Sequence, residues 1–286
     1  MLDKALRGGL RPALVAELTG SIGTGKTLLA LQWAIHITRA GGEVLWLYSG
    51  QDPAVEAQIL SVFVSHIEET PTRIPSSFFL MPLQSVENFL PKTQHGEGIY
   101  SAIRQHLRLH PRTQLVVVDH FTQLVQRSFS GFNHLGDLIQ RQATVHAALQ
   151  VIKHLATEGN VCILLLTQCT PNLASRSLTV APLEMSMNSS SGSFGPILYH
   201  AVNVRMHLRR IVGDMRAYTH ILTITKSSFC ATEQLILKLS ASGVEGITPK
   251  EEGASHLEVI GETCAEEVLD SIDIWDYSSV PQFLYI

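Results

Sequence analysis

The sequence predicts an α/β fold: a mostly parallel central sheet flanked by helices, with antiparallel strands along its C-terminal edge. Three observations predict it. Short, continuously apolar runs alternate with longer stretches of helical periodicity, the pattern of strands buried on both faces beneath covering helices. A glycine-rich loop at residues 20–27 lies between one such run and a helix. The later part of the chain carries strand-like runs with no helix between them, which implies antiparallel neighbours.

The elements follow in order. Val15–Thr19 reads as a buried strand leading into the glycine loop, and Lys26–Arg39 as a helix that Gly41 and Gly42 end. Val44–Tyr48 is a second strand. Pro53–Glu69 has helical character, and Ser77–Met81 is a short strand. Gly98–Leu109 is a helix with Leu, Ile and Ala on one face. Leu115–Val118 is four apolar β-formers in succession, a buried strand. Gly136–Thr157 is a long amphipathic helix with Gly159 beyond its end. Val161–Leu166 is another buried strand. Val202–Leu208, Tyr218–Thr225 and Gln234–Leu239 form the late antiparallel set. Ser186–Ser193 is a low-complexity stretch that reads as a loop.

Composition narrows the class. The 286 residues are 45% hydrophobic, enough for a packed core rather than a disordered chain. Asp3 and the lack of an apolar segment at the start argue against a signal peptide, and no run reaches the roughly 18 apolar residues of a membrane span. A soluble intracellular protein with no membrane contact is expected. Cys162, Cys169, Cys230 and Cys264 are far apart and read as reduced thiols. His106 and His110 stand at i, i+4 but fall short of the three or four ligands a metal centre needs.

Charge is uneven. The net charge is −4, yet residues 249–286 hold nine acids against Lys250 alone, leaving residues 1–248 mildly basic. The expected division is a core over 1–248 and an acidic C-terminal tail over 249–286. A mildly basic body suits contact with a polyanion, and a simply solvated tail explains the asymmetry as well. The tail segment Asp270–Ile286 also carries Trp275, Tyr277, Phe283 and Tyr285. It reads as a docking peptide for a partner, as an extra strand on this core, or as a mimic of nucleic-acid phosphates.

The glycine loop carries the chemistry. Gly20, Ser21, Ile22, Gly23, Thr24, Gly25, Lys26 and Thr27 fit G-x-x-x-x-G-K-[ST], with a strand before and a helix after. Glycines let backbone N–H groups turn toward phosphates, and the helix N-terminus adds its positive end. Lys26 reaches the β- and γ-phosphates, and Thr27 offers a hydroxyl to Mg²⁺. A second ligand to the metal is expected at the end of a buried strand, where Leu115–Val118 runs into Asp119. A strand-end Asp also caps turns, but the loop upstream favours the metal role. ATP and Mg²⁺ are therefore the expected cofactors.

Several segments together resemble the RecA/RadA-type recombinases of archaea and eukaryotes. Leu2-Asp3 through Gly8-Gly9-Leu10, followed by Glu17-Leu18-Thr19-Gly20, is similar to their L-D-x-L-L-x-G-G-I … T-E-I-x-G. Gly25 to Ala34 resembles G-K-T-Q-L-C-L-Q-L-A. Ile163–Leu166 with Thr167-Gln168 resembles the strand that ends in T-N-Q, which aligns Gln168 with the residue that senses the γ-phosphate. His200-Ala201 with Arg205-Met206 resembles H-A-x-x-x-R-L, and Lys226-Ser227 resembles K-S-P. The match runs in order from residue 2 to about residue 247 and implies a RecA-like P-loop NTPase core.

The departures imply a divergent recombinase paralogue. A counterpart of the family's helical N-terminal domain is not expected, since the match starts at residue 2. Gly50 falls where the family's water-polarising Glu is expected, and Gln51 or Asp52 reaches that place only with a register shift. Losing such a carboxylate costs about two to four orders of magnitude in rate. The expected first DNA loop, 127–135, has Arg127 as its one basic residue, with Phe129, Phe132 and His134; the second, 169–193, has Arg176. Phosphate contacts supply most nucleic-acid affinity, so DNA binding by the chain alone is expected to be weak. Phe129 and Phe132 either stack bases or pack. The resemblance implies an ATP-binding member of a hetero-oligomer with other paralogues and the strand-exchange recombinase, acting in homologous-recombination repair, in meiosis among its settings, in the nucleus. Lys226 stands where the family contributes to an adjacent subunit's nucleotide, or it is an ordinary surface lysine. A nucleotide-gated scaffold without useful hydrolysis or DNA contact is the alternative reading. A small-molecule kinase needs a basic lid, and the sequence offers only the pair Arg209-Arg210.

Overall fold

The computed structural model describes residues 2–50, 59, 61, 63, 77–91, 98–129, 135–169, 195–211, 219–240 and 243–247. Nine strands form one sheet: β1 (Leu14–Gly20), β2 (Glu43–Ser49), β3 (Phe78–Leu83), β4 (Thr113–Val118), β5 (Cys162–Gln168), β6 (Val204–Ile211), β7 (Thr219–Ser227), β8 (Glu233–Ser240) and β9 (Gly243–Ile247). Their spatial order is β3-β2-β4-β5-β1-β6-β7-β8-β9. The first six are parallel, and β7, β8 and β9 each pair antiparallel with the strand before. This is the predicted architecture, with one strand more than the sequence pattern announced.

Both faces of the central parallel strands β1, β2, β4 and β5 are buried, which is why those strands read as unbroken apolar runs. On one face Leu18, Trp46, Val117, Leu164 and Met206 pack under the helix Lys26–Arg39, which contributes Leu29, Ala30, Ala34 and Ile35. On the other, Leu47, Val118 and Leu165 pack under Phe121, Leu124, Leu149 and Ile152. Pro82 sits in β3, at the sheet's edge, where a missing N–H removes no ladder bond.

The helix Lys26–Arg39 has the predicted bounds. It stops because Gly41 adopts a φ of 83°, which lets the Gly42 N–H donate to the Ile37 carbonyl at 2.9 Å. The long helix spans Leu135–Glu158, and the helix of the 98–109 region spans Ile99–Leu109 with Gly98 as its N-cap. Of Pro53–Glu69, Ile59, Ser61 and Phe63 are described and are helical; the rest, with Ser186–Ser193 and residues 249–286, lie outside the described residues. Unpredicted are a 3₁₀ turn at Val86–Phe89, helices at Leu2–Ala5, Phe121–Ser128 and Gly195–Ala201, and β9. No described helix is long and apolar enough to cross a membrane.

Candidate nucleotide-binding site

Three adjacent strands end together. In the sheet, β4, β5 and β1 are neighbours, and their C-terminal ends deliver Asp119, Gln168 and Gly20. Gln168 pairs directly with Gly20 across β5 and β1, and the Cys169 N–H donates to the Gly20 carbonyl at 3.1 Å. The Gln168 N–H donates to Thr122 Oγ1 at 2.8 Å, which ties the end of β5 to the helix after Asp119. The carboxyl ends of parallel strands in an open α/β sheet are where ligands bind.

The loop from Ser21 to Gly25 depends on its glycines. Gly23 and Gly25 adopt φ values of 72° and 79°, which side chains disfavour. At Gly20 a Cβ would lie 2.4 Å from the Leu208 carbonyl oxygen, so β6 tolerates only glycine there. Thr24 is buried and its hydroxyl donates to the Ser21 carbonyl at 2.9 Å, while Ser21, Ile22 and Gly23 are exposed. Lys26 turns back over the loop, with Nζ donating to the Gly20 carbonyl at 2.9 Å and the Ser21 carbonyl at 2.6 Å. Burial pulls its pKa down to about 8, against the opposing pull of Cys169 and Asp119. It still holds its proton at neutral pH. Thr27 stands in the first turn of the helix.

Asp119 follows β4 and is almost wholly buried. Its N–H donates to the Leu47 carbonyl, and its Oδ1 accepts from the His120 N–H at 2.9 Å. His120 adopts a left-handed φ of 55°, and its Nδ1 lies 3.1 Å from the same oxygen. Asp119 raises the His120 pKa, with burial opposing. A lysine inside a glycine loop, a hydroxyl at a helix start and a buried carboxylate two strands away fit a polyphosphate with a divalent cation. Lys26 and the loop N–H groups would meet the phosphates, and Thr27 and Asp119 the metal.

Gly50, at the end of β2, adopts a φ of 128°, and its N–H donates to the Leu83 carbonyl at 3.2 Å. Gln51 and Asp52 lie outside the described residues. Arg127, expected in a loop, belongs to the helix Phe121–Ser128, where its guanidinium donates to Ser49 Oγ at 2.9 Å; the turn after β4 continues as helix further than composition suggested. Phe129 packs against the core. Phe132, His134 and Arg176 are outside the described residues. Lys226 donates to the Tyr199 and Val202 carbonyls at 2.5 and 2.8 Å.

Two neighbours of the site escaped the sequence reading. Leu239 of β8 lies 2.8 Å from where a Gly25 Cβ would stand, so the antiparallel edge leans on the phosphate loop. Beneath Gln168, Glu17 is buried between Thr167, whose hydroxyl donates to it at 2.6 Å, and Arg205, 2.9 Å away. Burial raises the Glu17 pKa even so, with Arg205 and Thr167 pulling the other way. The resemblance named both Glu17 and Arg205 without indicating that they meet.

Sheet order defines a RecA-like α/β core with the glycine loop of residues 20–27 at its strand ends. Comparison with known proteins agrees: residues 92–247 match the Rad51 family and residues 2–168 match an AAA domain. The chain is 24% identical over 264 residues to DNA repair protein RAD51 homolog 2 of Mus musculus, covering 85% of this chain and 72% of that protein. It is 24% identical over 269 residues to the Homo sapiens protein of the same name, covering 66% of it. It is 22% identical over 254 residues to the DNA repair and recombination protein RadA of Methanococcus maripaludis, covering 73% of it. The chain belongs to the Rad51 family, as a divergent member.

Proposed function

We propose that this protein is an ATP-binding recombinase paralogue that acts inside a complex during homologous-recombination repair of DNA. The observation that carries the reading is the convergence of Lys26 and Asp119 on one loop mouth, in a chain of the Rad51 family. Lys26 neutralises phosphate oxygens, and Thr27 and Asp119 hold Mg²⁺, which spreads the charge of the triphosphate. Gln168 reports the γ-phosphate to the segment 169–195 that follows it.

Hydrolysis is slow and DNA-dependent, because Gly50 supplies no carboxylate to orient water. The same glycine favours the second reading, a nucleotide-gated scaffold without useful turnover. The partners are other paralogues, the strand-exchange recombinase and DNA, the last held weakly by this chain alone. The nucleus is the expected compartment, and meiotic cells are one place of action. Residues 1–248 act as the ATPase core, with 249–286 as an acidic appendage.

The test compares the native chain with Lys26→Ala. A fluorescent ATP analogue binds the native chain in the presence of Mg²⁺, and the variant weakens this at least about ten-fold, roughly 1.4 kcal/mol. In affinity purification from cells, paralogues accompany the native chain and are lost with the variant. Equal nucleotide binding by both chains rules out the site; the absence of any recombination partner with either chain rules out the complex.

A further inference from the structure

A second concavity lies at the other end of the sheet from the phosphate loop. Leu10, Trp33, Ile37 and Leu115 wall it, with His36 and Gln114 at polar positions, around a volume of about 240 Å³. Small-molecule sites are usually larger, about 300–1,000 Å³. The size suits one large side chain rather than a cofactor. The wall is formed by the last turns of the helix Lys26–Arg39 and by the starts of β4 and β5.

Chain direction points to an occupant. β9 lies against the helix Lys26–Arg39, with Val244 packed on the core of that face. It runs antiparallel to β8, and so antiparallel to β1. The chain therefore leaves Ile247 heading back toward the strand-start end, where this concavity opens. The helix alongside has 14 residues, about 21 Å at 1.5 Å per residue. More than 20 residues separate Ile247 from Asp270, and at about 3.3 Å each they span that distance more than twice.

Charge points the same way. Exposed Arg7, Arg11 and Arg39 are chain neighbours of the lining residues Gly8, Leu10 and Ala40. The segment beyond residue 248 holds nine acids and a single lysine, and places Trp275 between Asp273 and Asp276. An aromatic ring set among carboxylates complements a hollow walled by Leu10, Trp33, Ile37 and Leu115 with exposed arginines beside it in the chain.

We propose that this pocket holds the segment Asp270–Ile286 of the same chain, with the Trp275 indole as its anchor. The segment then binds the end of the helix whose first turn carries Lys26 and Thr27.

Hydrogen–deuterium exchange on the full chain tests this. Three proteins are compared: native, Trp275→Ala, and Ala40→Trp, which fills the pocket from an exposed position at the helix end. Amides of residues 270–286 are protected in the native chain, unchanged on dilution. Both variants speed their exchange at least about ten-fold while strands β1, β4 and β5 keep their protection. Three results would overturn the proposal. They are full exchange of 270–286 in the native chain, protection that survives both variants, and protection that vanishes on dilution, which would assign the pocket to a second copy.

Discussion

Gly50 stands, by the resemblance, where a water-polarising Glu is expected, and its backbone adds a second obstacle to a side chain there. At a φ of 128° an L-residue carries about 1–3 kcal/mol of strain. Restoring the carboxylate therefore does not restore its position. Gly50→Glu is expected to leave ATP turnover unchanged, measured as phosphate release with and without DNA, and to lower stability by about 1–3 kcal/mol in urea unfolding. A hundred-fold gain in turnover at unchanged stability would show that the strand end adapts, and that slow hydrolysis is a matter of side chain alone. Gly25 carries a related constraint, since its φ of 79° remains unfavourable to a side chain whatever happens to Leu239 opposite.

At the scale of elements, Lys226 gives the clearest test. Its ammonium group closes the C-terminal end of the helix Gly195–Ala201 by donating to the Tyr199 and Val202 carbonyls. Helix ends leave carbonyls without partners, and a cation there also meets the negative end of the helix dipole. Lys226→Met is expected to cost about 1–3 kcal/mol in the isolated chain, as a charged hydrogen-bond donor is lost. Amide exchange at residues 198–203 should quicken with it. An isolated chain of unchanged stability would return Lys226 to the role the resemblance suggests, at a neighbour's nucleotide. This residue also marks where sequence reading stops. β1, the loop and the helix after it were legible because their signals are local: a glycine spacing, an apolar run, a 3.6-residue period. Leu115–Val118 was legible because both its faces are buried. The helix Phe121–Ser128 was missed because it is short and begins at a left-handed His120 without a side-chain cap. β9, with two glycines in five residues, is held by pairing with β8 rather than by propensity. Lys26, Asp119 and Gln168 were readable from motifs. The contact of Leu239 with Gly25 was not, because residues more than 200 positions apart in sequence leave no pattern when they touch.

Over the molecule's described residues, buried and half-buried imidazoles set the acid limit of stability. Burial is the largest cause in each of three histidines. His106, with the His110 charge adding to the effect, falls to about 4. His207, near Arg209, Arg205 and Lys26, falls to about 4, and so does His220, near Arg210. The geometry agrees: His106 is stacked on His110 and edge-on to Phe79, and His106 Nε2 and His220 Nδ1 are buried without hydrogen-bond partners. In the unfolded chain all three titrate near 6.5. Between about 6.5 and 4 the unfolded state therefore holds more protons than the folded one, so stability rises with pH across that window. The contribution is fully present above about pH 6.5 and is lost as the pH falls toward 4. Urea midpoints measured from neutral pH downward should drop through this window, with buried Glu17, whose raised pKa makes the folded state take up a proton first, opposing part of the slope. His220→Phe, which replaces a buried ring with one that does not titrate, should flatten the slope by about one proton. A midpoint that holds steady down to pH 4.5 would mean that these rings charge freely in the folded protein, and that the helix and strands carrying them admit water.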